Sequence, residues 1–264
     1  MNEDGYKSRI DLAWSDDHVV PEVVTPEVEF MFRRMIEIVL LEADIKPEEV
    51  VLDVGCGRAL DSVRMAEWGA RVVGIEPSTA MLRHACDHIR RNGASVMLVR
   101  GIGEDLPFRS ACIDKVICKG AVDHFADPVR VMEEMSRVLK DGGRAVVAVA
   151  NFGSLGFKLG KAVYCLWKML GKKEEHDFKM PWEVPADHTY RFDYVFLKQM
   201  LSRCFGEYRI RGVSLLFGLP WWGAFLAKCP QKVSQAILAF LDKIACYIPR
   251  LSDVLVAVCM PKNQ

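Results

Sequence analysis

The chain has 264 residues, 51% hydrophobic and 27% charged, enough to bury a large core as one α/β domain or a domain with an attached cap. Lys plus Arg (35) balances Asp plus Glu (35), which excludes a global field for nucleic acid. Nine cysteines without a CxxC pair read as thiols in a reducing compartment rather than disulfides or a zinc site, and the polar N-terminus has no apolar signal segment; a cytoplasmic protein is expected.

Taken in chain order, residues 1–25, with Pro21 and the adjoining Pro26, predict a loose arm. Apolar residues at helical spacing (Phe30, Met31, Ile36, Val39, Leu40) predict a leading helix from Glu27 to about Ala43. Strand-like runs near 49–54, 70–76, 95–100, 113–118 and 144–150 then alternate with helical segments near 59–68, 78–92 and 128–139. That alternation predicts parallel βαβ units and a doubly wound sheet, whose ligands bind at the carboxyl ends of the strands. After Asn151 the rhythm changes. An apolar segment (Phe157 to Leu170), a polar stretch (Lys172 to Asp187), a helix near 192–203, a strand near 207–214, a second apolar segment (Leu219 to Ile248) and a last strand (Val254 to Met260) follow. Lysines interrupt both apolar segments, so neither reads as a membrane span. The expected organisation is an arm and helix over 1–44, a ligand-binding core over 45–150, and a C-terminal half of the same domain over 151–264, with helical cap insertions near 153–173 and 219–248.

The chemistry concentrates in Val51-Leu52-Asp53-Val54-Gly55-Cys56-Gly57-Arg58-Ala59, where an apolar run ends in an acid and then in glycines. Glycine permits a tight turn and close approach of a ligand to the backbone, and the following helix offers free N–H groups. A dinucleotide fold wants a third glycine where Leu60 stands, and an apolar residue where Asp53 stands. A phosphate-binding P-loop would need Gly-Lys-Ser/Thr, which is missing. With Glu76 ending the next strand, the loop suits a ligand carrying an adenosine ribose and a charged small group but no pyrophosphate.

In order and spacing, several motifs over roughly residues 49–150 resemble the class I S-adenosylmethionine-dependent methyltransferases, in particular the methyltransferase type 11 group. They are Val51 to Gly57; Glu76-Pro77-Ser78; Gly103-Glu104-Asp105-Leu106-Pro107-Phe108; Ile113 to Cys118; and Asp127-Pro128 through Leu139-Lys140-Asp141-Gly142-Gly143-Arg144. The resemblance implies a mostly parallel seven-stranded Rossmann-like sheet and S-adenosylmethionine as cofactor, with S-adenosylhomocysteine as product. It places Asp53, Gly55, Cys56, Gly57, Glu76, Pro77, Gly103, Glu104 and Lys119 at that cofactor, with Glu76 on the ribose hydroxyls and Gly103 and Glu104 near the adenine. Two positions depart from the family pattern. Ala59 stands where the family usually has glycine, and Ile102 where it often has an Asp contacting the adenine amino group, so adenine recognition falls to backbone groups and apolar packing.

A sulfonium methyl is already activated, so such an enzyme aligns a nucleophile, excludes water and removes a proton where the acceptor carries one. His124, beside Asp123 after the fourth strand, is the first choice of base, and His188 the second; the plainer reading of His124 is a polar residue packing its loop. Between Pro181 and Arg191, His188 or Tyr190 would enter the site if the stretch His176 to Arg191 closes over substrate. His84 and His88 lie one helical turn apart without a third ligand and read as a solvated helix face; no metal is expected.

On a helical projection of 153–173, Lys158, Lys161, Lys168 and Lys172 share one narrow sector, and apolar residues fill the rest. Three readings stay open: a cap helix packed on the core, the wall of an apolar pocket, or a helix lying on an anionic membrane surface. Together with Trp221, Trp222, Phe225, Phe240 and Tyr247 in the second apolar segment, this predicts a small lipophilic acceptor, with peripheral membrane contact in the third reading and no nucleic acid partner. The rival functions are a nicotinamide-dependent oxidoreductase, disfavoured by Asp53 and Leu60, and a non-catalytic S-adenosylmethionine-binding protein.

Overall fold

A computed structural model describes residues 24–170, 180–183 and 188–262. Residues 1–23 of the predicted arm, and His176, Lys172 and Asp187, lie outside the described residues. Helix α1 (Pro26–Ala43) precedes β1 (Val50–Val54), α2 (Leu60–Glu67), β2 (Arg71–Glu76), α3 (Thr79–Asn92), β3 (Val96–Arg100), β4 (Ile113–Lys119), α4 (Pro128–Val138) and β5 (Leu139–Ala150). The second half contributes α5 (Leu155–Met169), α6 (Tyr194–Cys204), β6 (Glu207–Val213), α7 (Trp222–Lys228), α8 (Gln231–Tyr247) and β7 (Val254–Met260).

The seven strands form one sheet in the order β3-β2-β1-β4-β5-β7-β6. β1 to β5 run parallel, and β7 is antiparallel to both its neighbours. The sheet is the expected doubly wound type, and its direction of winding reverses between β1 and β4. In such sheets that is where a crevice opens beyond the carboxyl ends of the strands.

Side chains alternate along each strand, so the two sheet faces collect two cores. Leu52, Val54, Val116 and Cys118 face the core built with α4 and α6, where Met132, Met135, Leu197 and Leu201 are buried. Val51, Ile117, Val146 and Val256 face the other core, which Met31, Met35, Ile38 and Val39 of α1 cover. The helix starts are set by side-chain oxygens: Ser78 accepts from the Met81 N–H, Asp127 from Arg130, Ser154 from Phe157 and Asp193 from Phe196. Arg34 pairs with Asp242 at 2.8 Å, and Asp242 also accepts from the Ser214 N–H, which ties α1, α8 and the end of β6 together.

Two elements differ from the sequence reading. β5 begins at Leu139 rather than near 144, because Lys140–Gly143 bulges between two paired stretches, with Gly142 at φ +73°. The larger difference is α5. It buries only Gly156, Phe157 and Gly160 and leaves Leu159, Leu166 and Met169 exposed. The two glycines, one helical turn apart, let α5 press its backbone against the Phe217 and Gly218 carbonyls, so a Cβ at either position would collide with them. The reading of a wide apolar face packed on the core is thereby replaced by contact along a narrow glycine edge.

Candidate active site

The loop after β1 meets the crevice with Gly55 at φ +71° and Gly57 at φ +52°. The Gly55 and Cys56 N–H groups donate to the Ile75 carbonyl of β2 at 2.9 and 3.2 Å, which fixes the turn against the neighbouring strand. Cys56 fills the space over Gly74, where a Cβ would lie 2.7 Å from its sulfur, and burial pushes its thiol well up from the usual range. Ala59 adopts φ +57° at the start of α2, a left-handed conformation that costs an L-residue about 1 kcal/mol.

Buried carboxylates organise this loop. Asp53 accepts from the Ser62 hydroxyl at 2.5 Å, and burial, opposed mainly by that bond, raises its carboxyl to about 7. Glu76, also buried, accepts from the Ser78 N–H at 2.9 Å and the Gly57 N–H at 3.2 Å. Burial raises its pKa; the two N–H groups, and His124 across the crevice, act in the opposite direction. Lys119 at the end of β4 pairs with Asp61 of α2 at 2.8 Å. Asp61 and Ser62 were not singled out in the sequence; their only signal is their place in the first turn of the helix after the glycine loop.

The remaining walls come from the loops after β3 and β4. The Phe125 ring lies against both Gly55 and Gly103, and a Cβ on Gly55 would stand 2.5 Å from that of Ala121. Glu104, expected near an adenine, turns its carboxylate the other way: Ala126 and Asp127 donate their N–H groups to it at 2.9 and 3.3 Å. The Pro77 carbonyl accepts from Arg100 at 3.4 Å, and Ile102 is half-buried beside Gly103.

The two histidine candidates, 64 positions apart in sequence, come together. The Thr189 N–H and hydroxyl donate to the Asp123 and His124 carbonyls at 2.8 and 3.3 Å, and the Tyr190 hydroxyl donates to the Ala126 carbonyl at 3.2 Å. Stitched in this way, His188 places Nδ1 3.2 Å from the buried Asp123 carboxylate, and its ring meets His124 edge-on at 4.5 Å. One ligand-capable atom from each of Asp123, His124 and His188 lies within 4.8 Å of the others. Tyr190 is committed to the loop carbonyl, a structural task. His84 and His88 remain apart on α3, where His88 contacts Asn92.

Chemically, the crevice combines a glycine turn held by the Ile75 carbonyl and Glu76, buried carboxylates with unused lone pairs, and an imidazole pair backed by an acid. A carboxylate offers about four acceptor positions, so Glu76 retains capacity for two hydroxyls beyond its two N–H donors. This fits a nucleoside ribose.

Residues 52–147 match the family described as methyltransferase domain. The ubiquinone biosynthesis O-methyltransferase of Hahella chejuensis is 37% identical over 145 residues, which are 53% of this chain and 60% of the relative. The chain thus spans three fifths of that relative's length. Among solved structures, the YcgJ protein of Bacillus subtilis has a TM-score of 0.57 at 17% identity, covering 88% of this chain and all of that one. The [4+2]-cyclase SpnF has a TM-score of 0.54 at 17% identity, covering 87% and 81%. Likeness at that identity concerns the fold alone, and one fold hosts different chemistries, so activity has to be argued from the site.

Proposed function

Residues 52–147 match the methyltransferase domain family, and from that premise we propose that the protein transfers a methyl group from S-adenosylmethionine to a hydroxyl of a small, lipophilic acceptor. The observation that carries this reading is the juxtaposition, in one crevice, of the glycine turn, Glu76 and the Asp123–His188 pair. When bound, the cofactor supplies a methyl group activated by its sulfonium. Gly55 and Gly57 shape the turn that lets it approach the backbone, Glu76 receives the ribose hydroxyls, and Phe125 and Ile102 flank the adenine side.

The chain's own chemical task is then to hold the acceptor hydroxyl and take its proton. A carboxylate beside Nδ1 orients an imidazole and stabilises its protonated form. That favours His188 over His124 as base and reverses the order of preference taken from sequence, with Asp123 positioning His188. His124, edge-on to the same ring, orients the acceptor. The name of the Hahella relative, an O-methyltransferase of ubiquinone biosynthesis, supports an oxygen acceptor on an apolar quinol-like molecule. The exposed apolar residues of α5, α7 and α8 support delivery of that molecule from a membrane surface by peripheral contact. Among the described residues no helix is long and apolar enough to cross a membrane. We infer a reducing, cytoplasmic setting from nine cysteines without a CxxC pair, and assign 45–150 to cofactor and 151–264 to the acceptor side.

The test is calorimetry with S-adenosylmethionine on the parent chain and on Glu76→Ala, followed by product formation on lipophilic phenols and quinols. Losing hydrogen bonds to a charged group, about 1.5–3 kcal/mol, weakens cofactor binding by about 10- to 150-fold. His188→Ala lowers kcat by about 10²- to 10⁴-fold while cofactor affinity holds. Equal affinity in Glu76→Ala and the parent would refute the cofactor assignment.

A further inference from the structure

Away from this crevice, α1, α5, α7 and the segments 180–182 and 217–221 line an open-sided cavity of about 520 Å³, within the range of small-molecule sites. Its walls are unusually aromatic. Trp167 and Trp221 pack with ring centroids 5.0 Å apart, and Tyr164 and Trp182 do so at 6.0 Å. Glu27, in the first turn of α1, also lines the cavity, although only 7% of its surface is exposed.

The position of that carboxylate is costly. One oxygen is pressed against Gly223, where a Cβ would collide with it, and the other, Oε2, is buried without a hydrogen-bond partner. Among the described residues lining the cavity, none is Lys, Arg or His. A buried carboxylate is stable only when a cation or several donors compensate it. Aromatic faces attract cations through their quadrupoles, and tryptophan does so best. An acid without a cationic partner among the described residues, set among three tryptophans and a tyrosine, has the composition of a receptor for an organic cation.

We propose that this cavity binds an organic ammonium group, with Glu27 neutralising its charge and the Trp167–Trp221 and Tyr164–Trp182 pairs enclosing its alkyl substituents. Inorganic cations do not suit it, because the walls supply a single carboxylate and few other oxygens. Glu27 is not among the residues assigned to cofactor or base. An aromatic series nevertheless leads between the two places. His188 contacts Phe152, Phe152 contacts Phe157, and Phe157 contacts Phe217 of the cavity wall.

Choline and 3,3-dimethylbutan-1-ol, which replaces the quaternary nitrogen by carbon, test the proposal on the full chain by calorimetry and tryptophan fluorescence. Choline should bind saturably and at least tenfold more tightly than the neutral alcohol. Glu27→Gln should cost choline at least tenfold and leave affinity for the alcohol unchanged. Trp221→Leu, on the exposed side of the wall, should weaken choline while retaining the preference for charge. The S-adenosylmethionine titration should be unaffected by either substitution, which separates failure here from failure of the methyltransferase reading. If the ammonium belongs to a lipid headgroup, phosphatidylcholine vesicles displace choline; if it belongs to a free small molecule, they do not. Equal affinity for choline and its neutral analogue, or no saturable choline binding to the parent chain, would overturn the proposal.

Discussion

In the crevice at the ends of β1, β2 and β3, buried acids are met by protein donors: Asp53 by Ser62, Glu76 by Gly57 and Ser78, Glu104 by Ala126 and Asp127. In the cavity beneath α5 and α7, Glu27 Oε2 meets none. The same division runs through the apolar surface. The central strands β1, β4, β5 and β7 bury most of their apolar side chains, whereas α5, α7 and α8 expose Leu166, Met169, Phe225, Phe240 and Tyr247. The family match, residues 52–147, stops before α5 begins. Asp123 Oδ1, beside His188, is likewise buried without a partner; the acids met by protein donors belong to the scaffold, and the unmet oxygens mark places shaped for something outside the chain.

The largest effect expected from breaking the self-satisfied half is at its tightest point. Gly55→Ala would set a methyl 2.5 Å from the Ala121 Cβ, at a φ of +71°. Neither backbone can yield without moving the loop, so the left-handed penalty adds to overpacking and the loss should be about 2–4 kcal/mol. Denaturant unfolding measures it. A loss below about 1 kcal/mol would mean that the turn is looser than the contact with Ala121 implies, and the contrast with the cap would weaken.

A middle-sized effect joins the halves. Asp253, just before β7, accepts from the N–H of Phe217, which lines the cap cavity, while its other oxygen is buried without a partner. Burial raises its carboxyl to about 7, against the smaller opposing pull of the Phe217 N–H and Ser214. Between pH 4 and 7 the folded form therefore holds a proton that the unfolded chain has released, and stability must fall as pH rises through that window. Asp53, raised to about 7 for the same reason, contributes with the same sign. Asp253→Asn keeps an oxygen for Phe217 and removes the titration. It should match the parent near pH 4, exceed it at pH 8 and show a shallower slope between. An unchanged slope would remove Asp253 from this role.

Legibility in the sequence divides along the same line. The strands and the glycine turn are readable because continuous apolar runs, Gly55 and Gly57 each leave a local mark. The pairing of His124 with His188 was not, because it depends on Thr189 and Tyr190 docking onto a distant loop. Nor was the inward turn of Glu104, since a carboxylate beside Gly103 reads the same whether it faces a ligand or the amides of Ala126 and Asp127. Glu27 only marks the start of the helix predicted from sequence, and the approach of α5 and α7 is what makes it unusual. For α5 the apolar residues were visible but misleading: periodicity reports which face is apolar, and Gly156 and Gly160 decided which edge makes contact.

The smallest effect bears on that same helix. Leu166 and Met169 are 58% and 83% exposed, so they give little apolar area to folding. Exchanging both for serine should change unfolding free energy by no more than about 0.5 kcal/mol each, the range for surface positions away from caps and cores. A cost of about 2 kcal/mol or more per residue, as for truncated core leucines, would show that α5 is packed as the strands are. With folding held nearly constant, the same double variant isolates the outward role of the helix. If its apolar side chains serve to meet a membrane surface, co-sedimentation with liposomes containing acidic lipid should fall in the variant at low salt, while calorimetric binding of S-adenosylmethionine in the core stays as it was. Retained co-sedimentation would move the contact surface away from α5, to the exposed residues Phe240 and Tyr247 of α8.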